Sequence, residues 1–237
     1  MKKVHITLQG KGGIGKSYVA SLIAQYHLDR HIPVTCLDAD PVNSTLSTYP
    51  RLAAERLKLT SDDTMAEHLD LMRDQIVSAD RDIVLDIGSV AFLPLSNYLI
   101  EQGAIYALTA SKTVMMHVVL VGGQAMTDTI NGLTNLITCL PMEVRIVAWL
   151  NEYFGPIRSD DAHFERMPVY ESCRERLFGT ARLPCHTSST VSADVREMLR
   201  RRLTFQEAVA DERFYLTSRQ RLLNVKREIF SSLEVIP

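Results

Sequence analysis

Short apolar runs alternate along the chain with longer stretches of helical periodicity. The runs are rich in β-branched residues and fall at residues 4–8, 34–37, 83–86, 104–109, 144–150 and 178–183. Apolar runs of this length predict buried strands, and the stretches between them predict helices. Strands that alternate with helices indicate right-handed βαβ units. We therefore predict an α/β fold of three layers, in which a mostly parallel central sheet is flanked by helices on both faces.

Residues 45–80 are more polar than the rest of the chain, and we predict one or two helices there, one of them over residues 64–78. No linker, repeat or low-complexity segment interrupts the alternation. A chain of 237 residues that is 46% hydrophobic can bury one sizeable core. We expect a single domain over residues 1–237.

A glycine-rich segment directly follows the first apolar run and has the pattern G-x-x-x-x-G-K-S. Its glycines allow backbone N–H groups to approach an anion, and a helix that starts at Lys16 would point its free N–H groups at the same place. Lys16 would reach the phosphates and the Ser17 hydroxyl would bind Mg²⁺. The alternative is a glycine-rich hairpin with incidental lysines. The residues expected to bind nucleotide are Gly10, Lys11, Gly12, Gly13, Ile14, Gly15, Lys16 and Ser17.

An additional lysine, Lys11, occupies the second position of this loop. Residues 11–17 thereby resemble the signature K-G-G-x-G-K-S/T of the deviant Walker A ATPases of the ParA and MinD type. The resemblance implies ATP and Mg²⁺ as cofactors and a nucleotide-sandwiched homodimer. In that dimer Lys11 contacts the partner's phosphates and Lys16 contacts those of its own chain. Tyr18 is also expected among the nucleotide-binding residues, although it stands where many P-loops have a Ser or Thr that touches the α-phosphate.

Two further apolar runs end in aspartates, at the edge of the sheet where the loop is expected. Asp38 and Asp40 follow the second run, and the alternative for them is an Asx turn before Pro41. The resemblance implies that Asp38 supports the Mg²⁺ shell and that Asp40 orients or activates the attacking water. Asp86 ends the third run as a Walker B aspartate would, accepting from metal-bound water. Gly88 replaces the family's usual proline, and we expect it to loosen the backbone there and to slow hydrolysis.

Asn151 ends the apolar run at residues 144–150. The resemblance implies that this asparagine contacts the adenine ring, whereas without the resemblance an asparagine after a strand is typically a turn residue. The residues that follow lack the N-K-x-D of guanine-specific GTPases, which favours ATP without excluding GTP.

The net charge is −2 and is unevenly distributed: residues 1–157 hold 12 basic and 16 acidic side chains, and residues 158–237 hold 14 and 12. ParA-type proteins bind DNA non-specifically through C-terminal basic residues, so the region of Arg196, Arg200, Arg201 and Arg202 is a candidate DNA contact. The alternative is a solvated arginine face. Residues 219–233 form a basic amphipathic pattern that suits either a membrane surface or, the interpretation we favour, a terminal helix packed on the sheet.

The start of the chain lacks the pattern of a signal peptide, and no apolar stretch approaches the ~18 residues of a membrane helix, so we expect a cytoplasmic protein. The four cysteines show no C-x-x-C spacing, and we expect reduced, mostly buried thiols. Neither the cysteines nor the seven histidines predict a metal site.

Within the family, several segments resemble the TraL and StbB proteins of conjugative plasmids, namely residues 8–13, 38–43, 94–96, 149–151 and 202–205. This resemblance implies a weak, Mg²⁺-dependent ATPase that acts as a dimerisation switch in plasmid stability, partition or conjugative transfer with a plasmid-encoded partner. Two alternatives remain open: a nucleotide-binding adaptor with little hydrolysis, and a small-molecule transferase of the same fold. A nitrogenase-iron-protein-like enzyme is excluded because no cysteine follows Asp86 closely.

Overall fold

A seven-stranded sheet forms the centre of the computed structural model, which describes residues 1–57, 59, 65–159, 162–186, 188–234 and 236. Seven strands lie in the order β3-β2-β4-β1-β5-β6-β9, and every neighbouring pair is parallel. Two more strands, β7 and β8, form a short antiparallel hairpin. The bounds are β1 Lys3–Thr7, β2 Val34–Ala39, β3 Glu55–Arg56, β4 Asp82–Ile87, β5 Thr113–Val121, β6 Arg145–Asn151, β7 Arg158–Ser159, β8 Ala162–His163 and β9 Leu177–Leu183.

Helices cover both faces of this sheet. They are α1 Lys16–Asp29, α2 Met65–Ser78, α3 Phe92–Ile100, α4 Ala104–Ser111, α5 Met126–Cys139, α6 Pro168–Cys173, α7 Ser189–Arg200, α8 Phe205–Ala210 and α9 Leu216–Glu234. Alternate residues of each strand point to opposite faces, so the sheet supplies two cores. One core packs against α2 to α6, and the other packs against α1, α7, α8 and α9. The predicted three-layer α/β fold is confirmed.

The strand predicted at residues 104–109 is wrong. These residues form α4, which begins after Gly103 in a left-handed conformation (φ 73°) and buries Ala104, Ile105 and Leu108 on one face while Tyr106 is exposed. Alanine favours helix, and this spacing of buried residues is helical. The strand instead follows this helix as β5, whose largely β-branched residues are buried on both sides of the sheet.

The other expectations tested by the fold concern the helices and the thiols. The helix predicted over residues 64–78 is confirmed as α2 from Met65 onward, and residue 64 lies outside the described residues. The terminal helix α9 packs on the sheet, burying Leu222, Val225, Ile229, Phe230 and Leu233, as favoured over a membrane surface. No described helix is both long and apolar enough to cross a bilayer. All four cysteines are free, but only two are buried, because Cys139 and Cys185 are exposed.

A chain of buried aromatic nitrogen contacts links β1, β5 and β6 on the face of the sheet that packs against α1. Trp149 Nε1 donates to His117 Nδ1 at 2.9 Å, and His117 Nε2 lies 2.9 Å from His5 Nδ1. Because an indole N–H can only donate, His117 must carry its proton on Nε2, which then donates to His5. Both imidazoles are therefore neutral in the folded protein. Burial lowers the pKa of His117 to about 3, and burial together with His117 lowers the pKa of His5 well below its usual range.

We expect this pair to make the protein less stable in mild acid. Below pH ~6.5 the unfolded chain binds protons at these imidazoles whereas the folded chain does not, so stability falls by up to about 1.4 kcal/mol per pH unit for each histidine. Urea unfolding between pH 5 and 8 should show a shallower slope for His117→Gln than for the parent. The exposed His163→Gln variant is the control and should keep the parent slope. An unchanged slope in His117→Gln would contradict the assignment.

Candidate nucleotide site

The glycine-rich loop joins β1 to α1 at the carboxyl edge of the sheet. Gly13 and Gly15 adopt positive φ angles of 73° and 100°, which side chains other than glycine rarely adopt. A Cβ on Gly15 would also lie 2.9 Å from Asn151 Nδ2. These two glycines are therefore required by the path of the loop, and α1 begins directly behind it at Lys16. The predicted strand-loop-helix setting is confirmed.

Lys16 lies inside the curve of this loop. Its ammonium donates to the carbonyl oxygen of Lys11 at 2.9 Å, and the residue is only 7% exposed. Burial lowers the pKa of Lys16, while Asp86 and Asp40 oppose that shift. A buried cation surrounded by backbone N–H groups at a helix start is suited to binding a phosphate.

Lys11 points away from this cradle. Its ammonium lies 2.9 Å from Asp128 Oδ2 in the first turn of α5, and the two side chains are 47% and 59% exposed. An exposed pair of this kind contributes at most about 1 kcal/mol. The loop thus places one lysine in the cradle and holds the other weakly at the surface.

Gln9 is a further residue of the site to which the sequence analysis gave no role. Its Nε2 donates to the carbonyl of Thr129 at 3.0 Å, and its Oε1 accepts from the Gly10 N–H at 2.9 Å. Gly132 makes room for this side chain, since a Cβ there would lie 2.3 Å from Gln9 Oε1. Gln9 therefore ties the start of the loop to α5. In the sequence, the position of this glutamine between an apolar strand and a glycine-rich loop is the signal that could have identified Gln9 as a site residue.

Asp86 is the second-last residue of β4, beside the loop, and is almost completely buried. Its Oδ1 accepts from Thr7 Oγ1 at 3.0 Å, and its Oδ2 is buried without a hydrogen bond from the described residues. Burial raises the pKa of Asp86 to about 6, although the hydroxyls of Ser17 and Thr7 and the ammonium of Lys16 act in the opposite direction. An unpartnered carboxylate oxygen near a serine hydroxyl fits the hard-oxygen ligand set of Mg²⁺.

No group of three or more His, Cys, Asp or Glu side chains with the geometry of a metal site occurs among the described residues. A nucleotide-bound Mg²⁺ does not require one, because it takes most of its ligands from phosphates and water. Ser17 and Asp86 are therefore the residues that would hold the ion.

Asp38 and Asp40 both bond to the backbone that follows β2. Asp38 accepts from the N–H groups of Asp40 at 3.1 Å and Ser47 at 2.7 Å. Asp40 Oδ1 accepts from the N–H groups of Val42 at 2.9 Å and Asn43 at 3.1 Å. The Asx turn considered as an alternative therefore exists. The turn still leaves both carboxylates in the site. Each carboxylate oxygen has a second lone pair that the turn does not use, and Asp40 remains close enough to Lys16 to oppose the lowering of its pKa.

Gly88 is required for space in this structure. Its φ of −65° and ψ of 152° are open to any residue, so the conformation alone does not require glycine, and the expected loosening of the backbone stays a prediction. A Cβ at Gly88 would lie 2.6 Å from both Cγ and Oδ1 of Asp40. The carboxylate of Asp40 thus packs directly on the segment after β4, in space that any larger residue at position 88 would occupy.

A cavity of about 320 Å³ opens beside the loop, and Tyr18 and Asn151 line it together with Leu183 and Pro184. Tyr18 forms part of the wall, and burial raises the pKa of its phenol. Asn151 donates to the carbonyl of Ile14 at 2.9 Å and accepts from the Tyr153 N–H at 3.2 Å, leaving one N–H and one lone pair for a ligand. The residue expected to read the base therefore also fixes the loop to β6.

Two of the arginines considered for DNA binding are paired within the chain. Arg200 and Arg201 both bind Glu197, and Arg202 lies near Tyr49, where it opposes the rise in the phenol pKa that burial causes. Arg196 lines the cavity beside the loop. These four residues do not form one free basic surface.

Comparison with known proteins decides the family. No family model matches the chain. Two proteins of Escherichia coli, each named Protein TraL, are 38% and 39% identical to it over 236 residues, which is 99% of this chain and 98% of each relative. The chain belongs to the TraL family.

Solved structures similar to this TraL-family chain have low identity. The MinD cell division protein of Aquifex aeolicus is 15% identical, with 97% of each chain covered and a TM-score of 0.49. A putative plasmid partition protein of Borrelia burgdorferi bound to AMPPNP is 11% identical, with 95% of this chain and 98% of that one covered and a TM-score of 0.47.

The contact between Gly88 and Asp40 gives a prediction for this TraL-family protein. Gly88→Ala should lower the free energy of unfolding by about 1–3 kcal/mol, because the added Cβ displaces the carboxylate and its turn. In the Asp40→Gly background the loss should be clearly smaller, since the side-chain atoms at 2.6 Å are absent and only the backbone Cα of residue 40, at 3.0 Å, remains in the way. Chemical denaturation of the parent, the two single variants and the double variant gives the coupling free energy between residues 40 and 88. Equal losses in both backgrounds would show that the two residues do not compete for space.

Proposed function

We propose that this TraL-family chain is a weak, Mg²⁺-dependent ATPase that works as a nucleotide-dependent dimerisation switch. It would act as a single ATPase domain over residues 1–237, in the cytoplasm, in plasmid partition, plasmid stability or conjugative transfer. The observation that carries the proposal is the separation of the two loop lysines: Lys16 is buried in the cradle, and Lys11 is exposed and held by Asp128.

The protein's own groups would bind the nucleotide in a fixed arrangement. Backbone N–H groups of the loop and the Lys16 ammonium would face the phosphates, and Ser17 and Asp86 would hold the metal ion, with Asp38 supporting that shell. When bound, Mg²⁺ would supply positive charge that offsets the negative charge of the phosphates. Asn151 and Tyr18 lie on the side of the loop where the nucleoside extends.

Dimerisation is supported by the surface around Lys11. Val42, Val90 and Leu93 are 68%, 59% and 68% exposed, and they lie on the two segments that Asp40 and Gly88 bring together. Exposed apolar side chains beside a charged site are typical of a surface that a partner covers. A second copy on this face would receive Lys11 close to its own phosphates once Asp128 releases it.

The hydrogen bonds that Asp40 already makes support slow hydrolysis. Its Oδ1 serves two backbone N–H groups, and its Oδ2 has only a long contact of 3.4 Å with Asn43 Nδ2. Oδ2 is therefore the atom available to orient a water molecule. Because Oδ1 is already occupied by these hydrogen bonds, the structure also favours the second candidate function, a nucleotide-binding adaptor that hydrolyses almost no ATP.

The plasmid setting is an extension from the TraL relatives, and a plasmid-encoded protein is the partner we propose besides the second copy. Non-specific DNA is a weaker candidate, because Arg200 and Arg201 are already paired with Glu197. A membrane surface is weaker still, because the apolar face of α9 is buried on the sheet.

Lys11→Ala should leave nucleotide binding by the monomer nearly unchanged and abolish ATP-dependent dimers, because it removes the cation delivered in trans without touching the cradle. Sizing with light scattering, in the presence of ATP and of ADP, measures the dimer. Asp128→Asn is the matched control: it frees Lys11 and should shift dimer formation to up to about 5-fold lower protein concentration. Normal dimerisation of Lys11→Ala would refute the role given to Lys11.

Asp40→Asn should retain ATP and the dimer but lose most phosphate release, because the amide cannot accept a proton from water as a carboxylate does. Steady-state phosphate release and dimer lifetime are measured on the same sample. If the parent protein hydrolyses ATP and Asp40→Asn does so equally fast, Asp40 has no part in hydrolysis. If the parent forms ATP-dependent dimers without measurable phosphate release, the adaptor is the better description.

A further inference from the structure

The cavity beside the loop has the size and lining of a small-molecule site. Its volume of about 320 Å³ lies within the roughly 300–1,000 Å³ that such sites occupy. Leu183 of β9, Val195 and Leu199 of α7, and Val225 and Ile229 of α9 give it apolar walls. It opens next to Gly13 and Gly15. A ligand in this cavity would therefore continue directly from a phosphate held by the loop.

Most of the polar groups around this cavity already have partners. Asn151 bonds to Ile14 and Tyr153. The hydroxyl of Ser192 donates to the carbonyl of His186 at 2.8 Å, which fixes the loop after β9 to α7. These contacts shape the cavity, and Asn151 keeps one N–H and one lone pair for an occupant.

Arg196 differs from these groups and from Arg200, the next arginine on α7. Its Nε donates to the Ser192 carbonyl at 3.2 Å, which positions the guanidinium at the cavity and leaves its terminal amino groups available. Within the described chain, no carboxylate lies within ion-pair distance of Arg196. By contrast, Arg200 makes a two-point contact of 2.8 Å with Glu197.

We propose that Arg196 is a base-side nucleotide contact, with its planar guanidinium lying against the face of a purine held in this cavity. The inference rests on the proposed function, in which the loop holds the phosphates. A guanidinium stacks on flat π systems, and the apolar walls strengthen the contact by excluding water. Tyr153 and Phe154 also line the cavity and offer aromatic surface for the same base. Arg196 therefore belongs to nucleotide binding and not to a DNA-binding surface.

The test compares ADP with inorganic tripolyphosphate, a ligand that has phosphates and no base, by calorimetry in Mg²⁺ buffer. Arg196→Ala should weaken ADP binding by about 5- to 30-fold, as expected for loss of one stacking partner, and leave tripolyphosphate binding unchanged. Arg196→Lys should not restore ADP affinity, because an ammonium lacks the planar surface. Arg200→Ala, one turn further along α7, is the matched control and should bind both ligands like the parent.

Two results would overturn the role of Arg196 while leaving the proposed function intact. One is parent-like ADP affinity in Arg196→Ala. The other is an equal loss of ADP and tripolyphosphate binding, which would make Arg196 a general attractor of phosphate. A parent protein that binds neither ligand would instead overturn the proposed function itself. Circular dichroism melting of each variant confirms that the compared proteins are folded.

Discussion

The buried ammonium of Lys16 is the constraint on which the rest of the site depends. A cation at this depth is unfavourable unless nearby groups compensate it. The loop carbonyl of Lys11 accepts its hydrogen bond, and the carboxylates of Asp86 and Asp40 favour its charged form. Parallel strands bring these groups together because their carboxyl ends meet at one edge of the sheet. The resulting cluster is suited to receive a phosphate near Lys16 and a divalent cation near Asp86.

The loop that encloses Lys16 is fixed to the two elements beside it. Asn151 binds it to the end of β6, and Gln9 binds its first residue to α5. Lys11 adds a weak third contact, also to α5, through Asp128. The contacts of Asn151 and Gln9 are buried and define the shape of the cradle. The exposed contact between Lys11 and Asp128 can be exchanged for another at little free-energy cost. In the proposed function, this difference would allow one loop to serve both as a rigid binding site and as the movable part of a switch.

The local parts of the fold and the site could be predicted from the sequence. The loop, α1 and the aspartates at strand ends follow from short-range patterns whose physical cause lies within a few residues. The strand predicted at residues 104–109 failed because a short apolar run does not distinguish a buried helix from a strand, and the alanines and Gly103 were the better guide. Contacts between distant segments, such as Asp128 with Lys11 or Asp40 with Gly88, have no signature in a single sequence. The pairing of Arg200 and Arg201 with Glu197 could have been predicted, because three and four residues separate them on one helix.

The central claim is that Lys11 acts on the nucleotide of a second copy, and a mixing experiment tests it most directly. Lys11→Ala has an intact Asp40 but cannot supply the lysine, whereas Asp40→Asn supplies the lysine but cannot activate water. If Lys11 acts in trans, a mixture of the two proteins contains dimers with one complete site, and phosphate release should appear that neither protein shows alone. A mixture that remains as inactive as its components would contradict the account.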